Sequence, residues 1–154
     1  MGGSYDFTHC TFADYWKLSQ RSTPLMYMNN YTVNNGTVVA DTSTKLEKAD
    51  FKNCIIYGLN DNELELDLKA SPLSNHHFKN CILKTDNNTP TSDTAHFTSI
   101  HNVDPGFKDK DINDYSLNNN NNFGDGSFVS GGIANDILGR LRTTTPAVGA
   151  YEKH

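Results

Sequence analysis

The strongest constraint on this chain is a six-residue pattern written three times: Phe7-Thr8-His9-Cys10-Thr11-Phe12, Phe51-Lys52-Asn53-Cys54-Ile55-Ile56 and Phe78-Lys79-Asn80-Cys81-Ile82-Leu83. One such unit cannot bury its apolar face alone, so the copies must stack on one another. Equivalent residues then fall into columns: Phe7, Phe51 and Phe78; Asn53 and Asn80; Cys10, Cys54 and Cys81. A solenoid is the expected architecture, and the pattern by itself names no chemistry.

The copies begin at positions 7, 51 and 78, so the intervals are 44 and 27 residues. Unequal intervals suit a parallel β-helix, whose turns accept insertions while its short strands keep register. Residues 62–68 alternate strictly, which predicts a half-buried strand with Leu64, Leu66 and Leu68 inward and Glu63, Glu65 and Asp67 outward. The longer interval is either one coil with an excursion or two coils. Strands are expected in it near residues 24–28 and 37–40, with a turn at Asn34-Asn35-Gly36. Within the motif, Phe51 should face inward and Lys52 outward. A bend at Asn53 in the left-handed region then turns Cys54 and Ile56 inward and leaves Ile55 outward. His9 stands where the other copies have Asn, so the amide column is expected to end or distort there. Residues 84–96, and the asparagine run 118–122 with Gly124-Asp125-Gly126, read as polar surface loops. Residues 136–142 and 146–152 read as a closing section that caps the open end of the stack.

With 154 residues the chain fits one domain. Its mean hydropathy of -0.61 and 36% apolar content are low for a compact globule and agree with an elongated shape. A net charge of -5 argues against a general nucleic-acid binder, which needs a basic face. No run approaches the roughly 18–20 apolar residues of a helical membrane span. Met1-Gly2-Gly3-Ser4 reads as an expression scar, with a targeting segment expected to belong further upstream. The three cysteines share one repeat position. Stacked strands hold equivalent residues about 4.8 Å apart and parallel, which does not meet disulfide geometry, so reduced buried thiols are expected. A zinc site would need a fourth ligand and CxxC-like spacing, and neither is present.

At this point the chain resembles the C-terminal portion of right-handed parallel β-helix proteins exported by anaerobic gut bacteria. The resemblance rests on the three F-x-N-C-type coils, on Asp104-Pro105-Gly106-Phe107 with Asp114-Tyr115-Ser116-Leu117, and on the tail from Asp136 to Glu152. It covers nearly all of residues 5–152. Two departures stand out: Ala147 where the family usually has Asp, and Asn122-Phe123-Gly124-Asp125-Gly126 in place of an S-P-A-I-D-x-G segment. The resemblance implies export to the cell envelope, often as a lipoprotein, and implies no single activity.

Several clusters are candidate sites. Lys52 and Lys79 occupy one outward column about 5 Å apart, where mutual repulsion could make a lyase base; the plainer reading is a solubilised sheet face, with no acidic cluster in the motif. Glu63, Glu65 and Asp67 could supply paired carboxylates for hydrolysis, although any alternating strand gives that pattern. Asp109, Asp111 and Asn113 have the opening spacing of a calcium loop but lack its glycine and its closing glutamate. His76 and His77 should point to opposite faces of a strand. Tyr15, Trp16, Tyr27 and Tyr31 gather near the first coil and are the best ligand-binding candidates, because flat rings stack on sugar faces.

The expectation is therefore an all-β, right-handed single-stranded parallel β-helix of about three to five coils with a C-terminal cap. Residues 5–103 form the coils, and residues 104–154 form the last coil and cap of the same domain. It is expected to be a structural or carbohydrate-binding segment of an exported bacterial surface protein, without catalysis, metal or cofactor. Its expected partners are a polysaccharide, and a second copy through the exposed N-terminal coil. The alternative is a fragment of a polysaccharide lyase or glycoside hydrolase.

Overall fold

The computed structural model describes residues 2–19, 21–70, 74–118 and 132–152, and among them the chain is all-β with no helix. The asparagine run beyond Asn118, with Gly124-Asp125-Gly126, lies outside the described residues.

Strand β1 (Gly3–Thr8) lies parallel to β6 (Leu46–Lys52), which lies parallel to β9 (His76–Lys79), which lies parallel to β11 (Phe97–Thr98). In this sheet Phe7, Phe51, Phe78 and Phe97 are successive lateral partners. Their rings stack at 4.9, 4.6 and 5.2 Å between centroids. Phe51, Phe78 and Phe97 are buried. A fully buried ring of this size contributes about 1.5–3 kcal/mol, so the column is a main source of cohesion.

The chain bends after each of these strands. His9, Asn53, Asn80 and Ser99 all have φ between 54° and 59°. Phe97-Thr98-Ser99-Ile100-His101 is thus a fourth, degenerate copy of the motif, with Ile100 at the cysteine position and His101 bridging Ile82. After the bend come β2 (Thr11–Asp14), β7 (Ile55–Gly58) and β10 (Ile82–Leu83), again parallel and in register. A third pair, β3 (Met26–Asn29) and β8 (Leu64–Asp67), is also parallel.

The 44-residue interval is one repeat with an excursion, because β1 pairs directly with β6. The excursion is a hairpin, β4 (Thr32–Asn34) and β5 (Thr37–Val39), turned by Asn35 and Gly36, both at positive φ. A second hairpin, β12 (Phe107–Asp109) and β13 (Asp114–Leu117), follows the last copy. Residues 84–96 hold no strand, as a polar loop should.

Two cores result. The first joins the phenylalanine column to Cys54, Cys81, Ile56, Leu64 and Leu83, with Leu66 and Leu68 packed on its border. The second joins Ile55 and Ile82 to Phe107, Leu117, Ala147 and Val148. Ile55 does point away from the first core, but it is 1% exposed rather than on the surface, because the C-terminal segment covers it. Gly149 makes that approach possible. It has φ 82°, and a Cβ there would sit 2.5 Å from Thr11 Oγ1 and 2.8 Å from Ile55 Cδ1.

Three further expectations change. Glu63 is fully buried instead of on the surface, because Arg21 and the Leu25 and Asn60 amides close over its carboxylate. Lys52 and Lys48 face Asp6 and Asp50 across neighbouring strands, so acidic groups do accompany the outward lysines. The His9 turn is not distorted either. Asn80 Nδ2 donates to Asn53 Oδ1 at 3.2 Å, and Asn53 Nδ2 donates to His9 Nε2 at 3.0 Å. The imidazole then carries its proton on Nδ1 and donates it to the Ala147 carbonyl at 3.0 Å. Histidine thereby extends the amide column to the C-terminal segment.

That segment is held by buried charge. Asp136 Oδ1 accepts from Leu138 N and Arg140 N, and Oδ2 accepts from Glu152 N. Burial pushes the Asp136 carboxyl up, and these backbone donors together outweigh it and hold it low. Arg142 donates to the Gly149 carbonyl at 3.0 Å and lies 3.4 Å from the buried Glu152 carboxylate.

Candidate functional site

Strand β2 ends at Asp14, where the chain leaves the stack, passes through Tyr15 to Ser19, and returns by Arg21 to β3. This departure opens a cleft of about 1020 Å³ at the corner between the β2–β7–β10 and β3–β8 sheets. Trp16, Arg21, Asn60, Asp61 and Glu65 line it.

Its wall is built on Glu63. Arg21 Nη2 donates to both carboxylate oxygens, at 2.9 and 2.7 Å, and Leu25 N and Asn60 N donate at 3.0 and 2.9 Å. The backbone of Glu63 also joins three repeats: its carbonyl accepts from Met26 N and its amide donates to the Lys84 carbonyl. Gly58 leaves the space for this carboxylate, since a Cβ there would lie 2.3 Å from Glu63 Oε1 and 2.7 Å from the Asp14 carbonyl. Arg21 is held further by an ion pair, its Nε 2.9 Å from Asp14 Oδ2 without hydrogen-bond geometry, and by Nη1, which donates to the Thr23 carbonyl at 2.7 Å. Removing Arg21 would leave the buried Glu63 carboxylate without its counter-charge.

Trp16 stands at the mouth of the cleft and is 61% exposed, in contrast to the buried aromatic column. Its backbone N–H donates to Asp14 Oδ1 at 3.0 Å and its indole Nε1–H to Ser19 Oγ at 3.2 Å. The ring is therefore oriented by polar contacts while its faces remain open. An exposed, oriented indole beside hydrogen-bonding groups is a surface suited to a ligand with both apolar and hydroxyl-bearing faces.

The four aromatic candidates do not form one cluster. Tyr15 turns into the second core, edge-on to Phe107 at 5.9 Å and stacked near Tyr115 at 6.1 Å. Burial, then neighbouring negative charge, pushes its phenol well up. Tyr27 and Tyr31 meet on Asp67: Tyr27 donates at 2.7 Å and Tyr31 donates to the same oxygen. The Tyr31 and Lys69 hydrogen bonds, followed by that from Tyr27, hold the Asp67 carboxyl down at about 2. Lys69 sits 4.4 Å above the Tyr31 ring. Tyr27 is nevertheless a neighbour of the cleft, because it is the lateral partner of Glu65.

The other clusters do not converge. Glu63 is buried, Glu65 faces the cleft, and Asp67 is taken by the tyrosines. Asp109 accepts from Asp111 N, Asp111 pairs with Lys17, and Asn113 accepts from Tyr115. Among the described residues no group of three or more His, Cys, Asp or Glu could hold a metal ion. His76 is buried and His77 exposed, and the His76 ring stacks on His96 at 4.0 Å. The three cysteines are free thiols. No described helix is long and apolar enough to cross a membrane.

The sequence singled out Glu63 only as an outward carboxylate beside Glu65 and Asp67, and did not point to its pairing with Arg21. The available signal was scarcity: Arg21 and Arg142 are two of only three arginines, and each serves a buried glutamate. The chain matches no family model, no curated protein and no solved structure.

Proposed function

We propose that the chain is a non-catalytic carbohydrate-binding segment of an exported bacterial surface protein, built as a right-handed parallel β-helix of three to five coils. The observation that carries the binding role is Trp16, exposed and oriented at the mouth of a large polar cleft. In-register parallel pairing of three and four copies supports the winding, and the likeness to exported β-helix proteins supports the location.

Binding is favoured over lyase or hydrolase chemistry by the state of the charged groups. A proton-transfer residue must be free to reach its substrate. Glu63 is 0% exposed with both oxygens bonded, Arg21 is held by Asp14, Glu63 and Thr23, and Lys17 is paired with Asp111. The cations of the cleft and the buried Glu63 are committed to structure, which leaves the lining carboxylates Asp61 and Glu65 as acceptors with no cationic partner beside them, among the described residues, for proton transfer.

A glycan array probed with the native chain and with Trp16→Ala tests the reading. Binding to at least one glycan class by the native chain, lost in the variant, is the expected result. Turnover of a polysaccharide would favour the enzymatic alternative instead.

Self-association belongs to the same proposal. Strand β1 is an edge strand, and Phe7, Met26 and Met28 lie partly buried around an open hollow of about 220 Å³ at that end. A second copy related by a two-fold axis can pair its β1 edge antiparallel and cover this face.

A further inference from the structure

We infer that the Trp16 cleft is the middle of a longer groove that takes an uncharged glycan chain rather than a single sugar or a polyuronate. This rests on the carbohydrate-binding reading and adds the ligand's length and charge.

Length follows from what adjoins the cleft. Ligand pockets for drug-sized molecules hold roughly 300–1,000 Å³, and the cleft alone is about 1020 Å³. On one side it shares Lys17 and Leu59 with a second hollow of about 540 Å³ floored by Tyr15 and Phe107. On the other side Glu65 passes directly to Tyr27, whose ring is 47% exposed on the outer face of β3. Tyr31 and Asp67 continue that face, with Asp67 accepting from both phenols. Tyr15 thus borders the adjoining hollow, Trp16 the cleft, and Tyr27 the strand position beside Glu65, an extent of surface that suits a repeating ligand.

Charge follows from pairing. A polyanionic glycan needs unpaired cations, which gain little from a ligand carboxylate once they already hold one. In the cleft Arg21 is neutralised by Asp14 and Glu63, and Lys17 by Asp111. Asp61 and Glu65 add further negative charge to the lining. The field at the mouth of the cleft opposes a uronate and leaves carboxylate and amide oxygens to accept sugar hydroxyls.

The test is a calorimetric titration with neutral β-1,4-linked oligosaccharides of glucose, xylose and mannose, from two to six units, and with polygalacturonate at low salt. Tyr27→Ala is run alongside; Tyr27 is exposed, and an unchanged thermal midpoint shows that the variant remains folded. The inference expects one neutral series to gain at least about tenfold in affinity between two and six units. It also expects Tyr27→Ala to remove most of that gain without changing disaccharide binding, and polygalacturonate to bind weakest. Equal affinity for two and six units overturns the groove while leaving binding at Trp16 intact. Tighter binding of polygalacturonate overturns the uncharged class. Binding of neither kind of glycan overturns the carbohydrate reading itself and this inference with it.

Discussion

Arg21 reaches both oxygens of Glu63 with one nitrogen, Nη2, at 2.9 and 2.7 Å, while its Nε faces Asp14 at 2.9 Å. This contact ties the loop that carries Trp16 to the strand corner beneath it. Glu63→Ala should therefore cost about 1–3 kcal/mol, because the Leu25 and Asn60 amides lose their acceptor while the partly exposed Arg21 keeps Asp14. Gly58→Ala should cost about 1–3 kcal/mol by overpacking, because its Cβ would strike the same carboxylate. Urea denaturation of the two variants measures both. A loss under about 0.5 kcal/mol for Glu63→Ala would mean that the clamp contributes nothing.

The turn column gives a second prediction. Asn53 holds φ 54° and bonds both Asn80 and His9. Asn53→Ala should lose about 2–4 kcal/mol, from left-handed strain and from buried partners left unmatched. Asn53→Gly should recover the strain portion only. Equal losses for the two variants would assign the whole effect to the amide.

Acid should weaken the fold through two buried imidazoles. Burial comes first for both His9 and His76. The charge of Arg142 adds to it at His9, and the neighbouring His96 and His77 add to it at His76; each pKa is pushed down to about 4. A folded-state pKa below the unfolded value of about 6.5 means the unfolded chain binds the proton first. Stability is then full above pH 6.5 and falls as pH drops from 6.5 towards 4, by about 3 kcal/mol per residue at most. Denaturation midpoints at pH 7.5, 6 and 5 check this, and His9→Asn should flatten the dependence. A pH-independent midpoint would contradict the neutral, buried assignment.

Thiol accessibility tests the cysteine column. Cys54 and Cys81 are 0% exposed, and Cys10 is partly covered at the end of the stack. The neighbouring Cys54 thiol, and then burial, push the Cys10 thiol well above its ordinary range. A disulfide reagent at pH 8 should label at most one thiol slowly in the native chain and all three after unfolding. Rapid native labelling of two or more would place the thiols elsewhere.

Sedimentation across a wide concentration range tests self-association at the β1 edge. A dimer weakened about tenfold by Tyr5→Lys is expected, since Tyr5 is exposed on that strand. A strictly monomeric native chain would remove this part of the proposal.

The repeat made most of the strand order legible. Register followed from Phe7, Phe51 and Phe78, and the bend from Asn53, because those residues meet the same local requirement in each copy. The fourth copy was hidden because Ser99 and Ile100 satisfy that requirement with different letters. Ile55 and Glu63 were misplaced for a related reason. Periodicity reports which side of a strand a residue occupies, whereas burial also depends on what distant chain covers that side. For Ile55 the cover is Ala147 and Val148, and for Glu63 it is Arg21 with the Leu25 amide, all remote in sequence. Trp16 was legible as a candidate because an aromatic outside the repeated columns has no place reserved in the core.

The most direct measurement uses Trp16 itself, the only tryptophan in the chain. Its intrinsic fluorescence should shift to the blue and saturate when the bound glycan covers the indole. Saturating glycan binding with no change in that emission would show that the ligand sits elsewhere and would contradict the account.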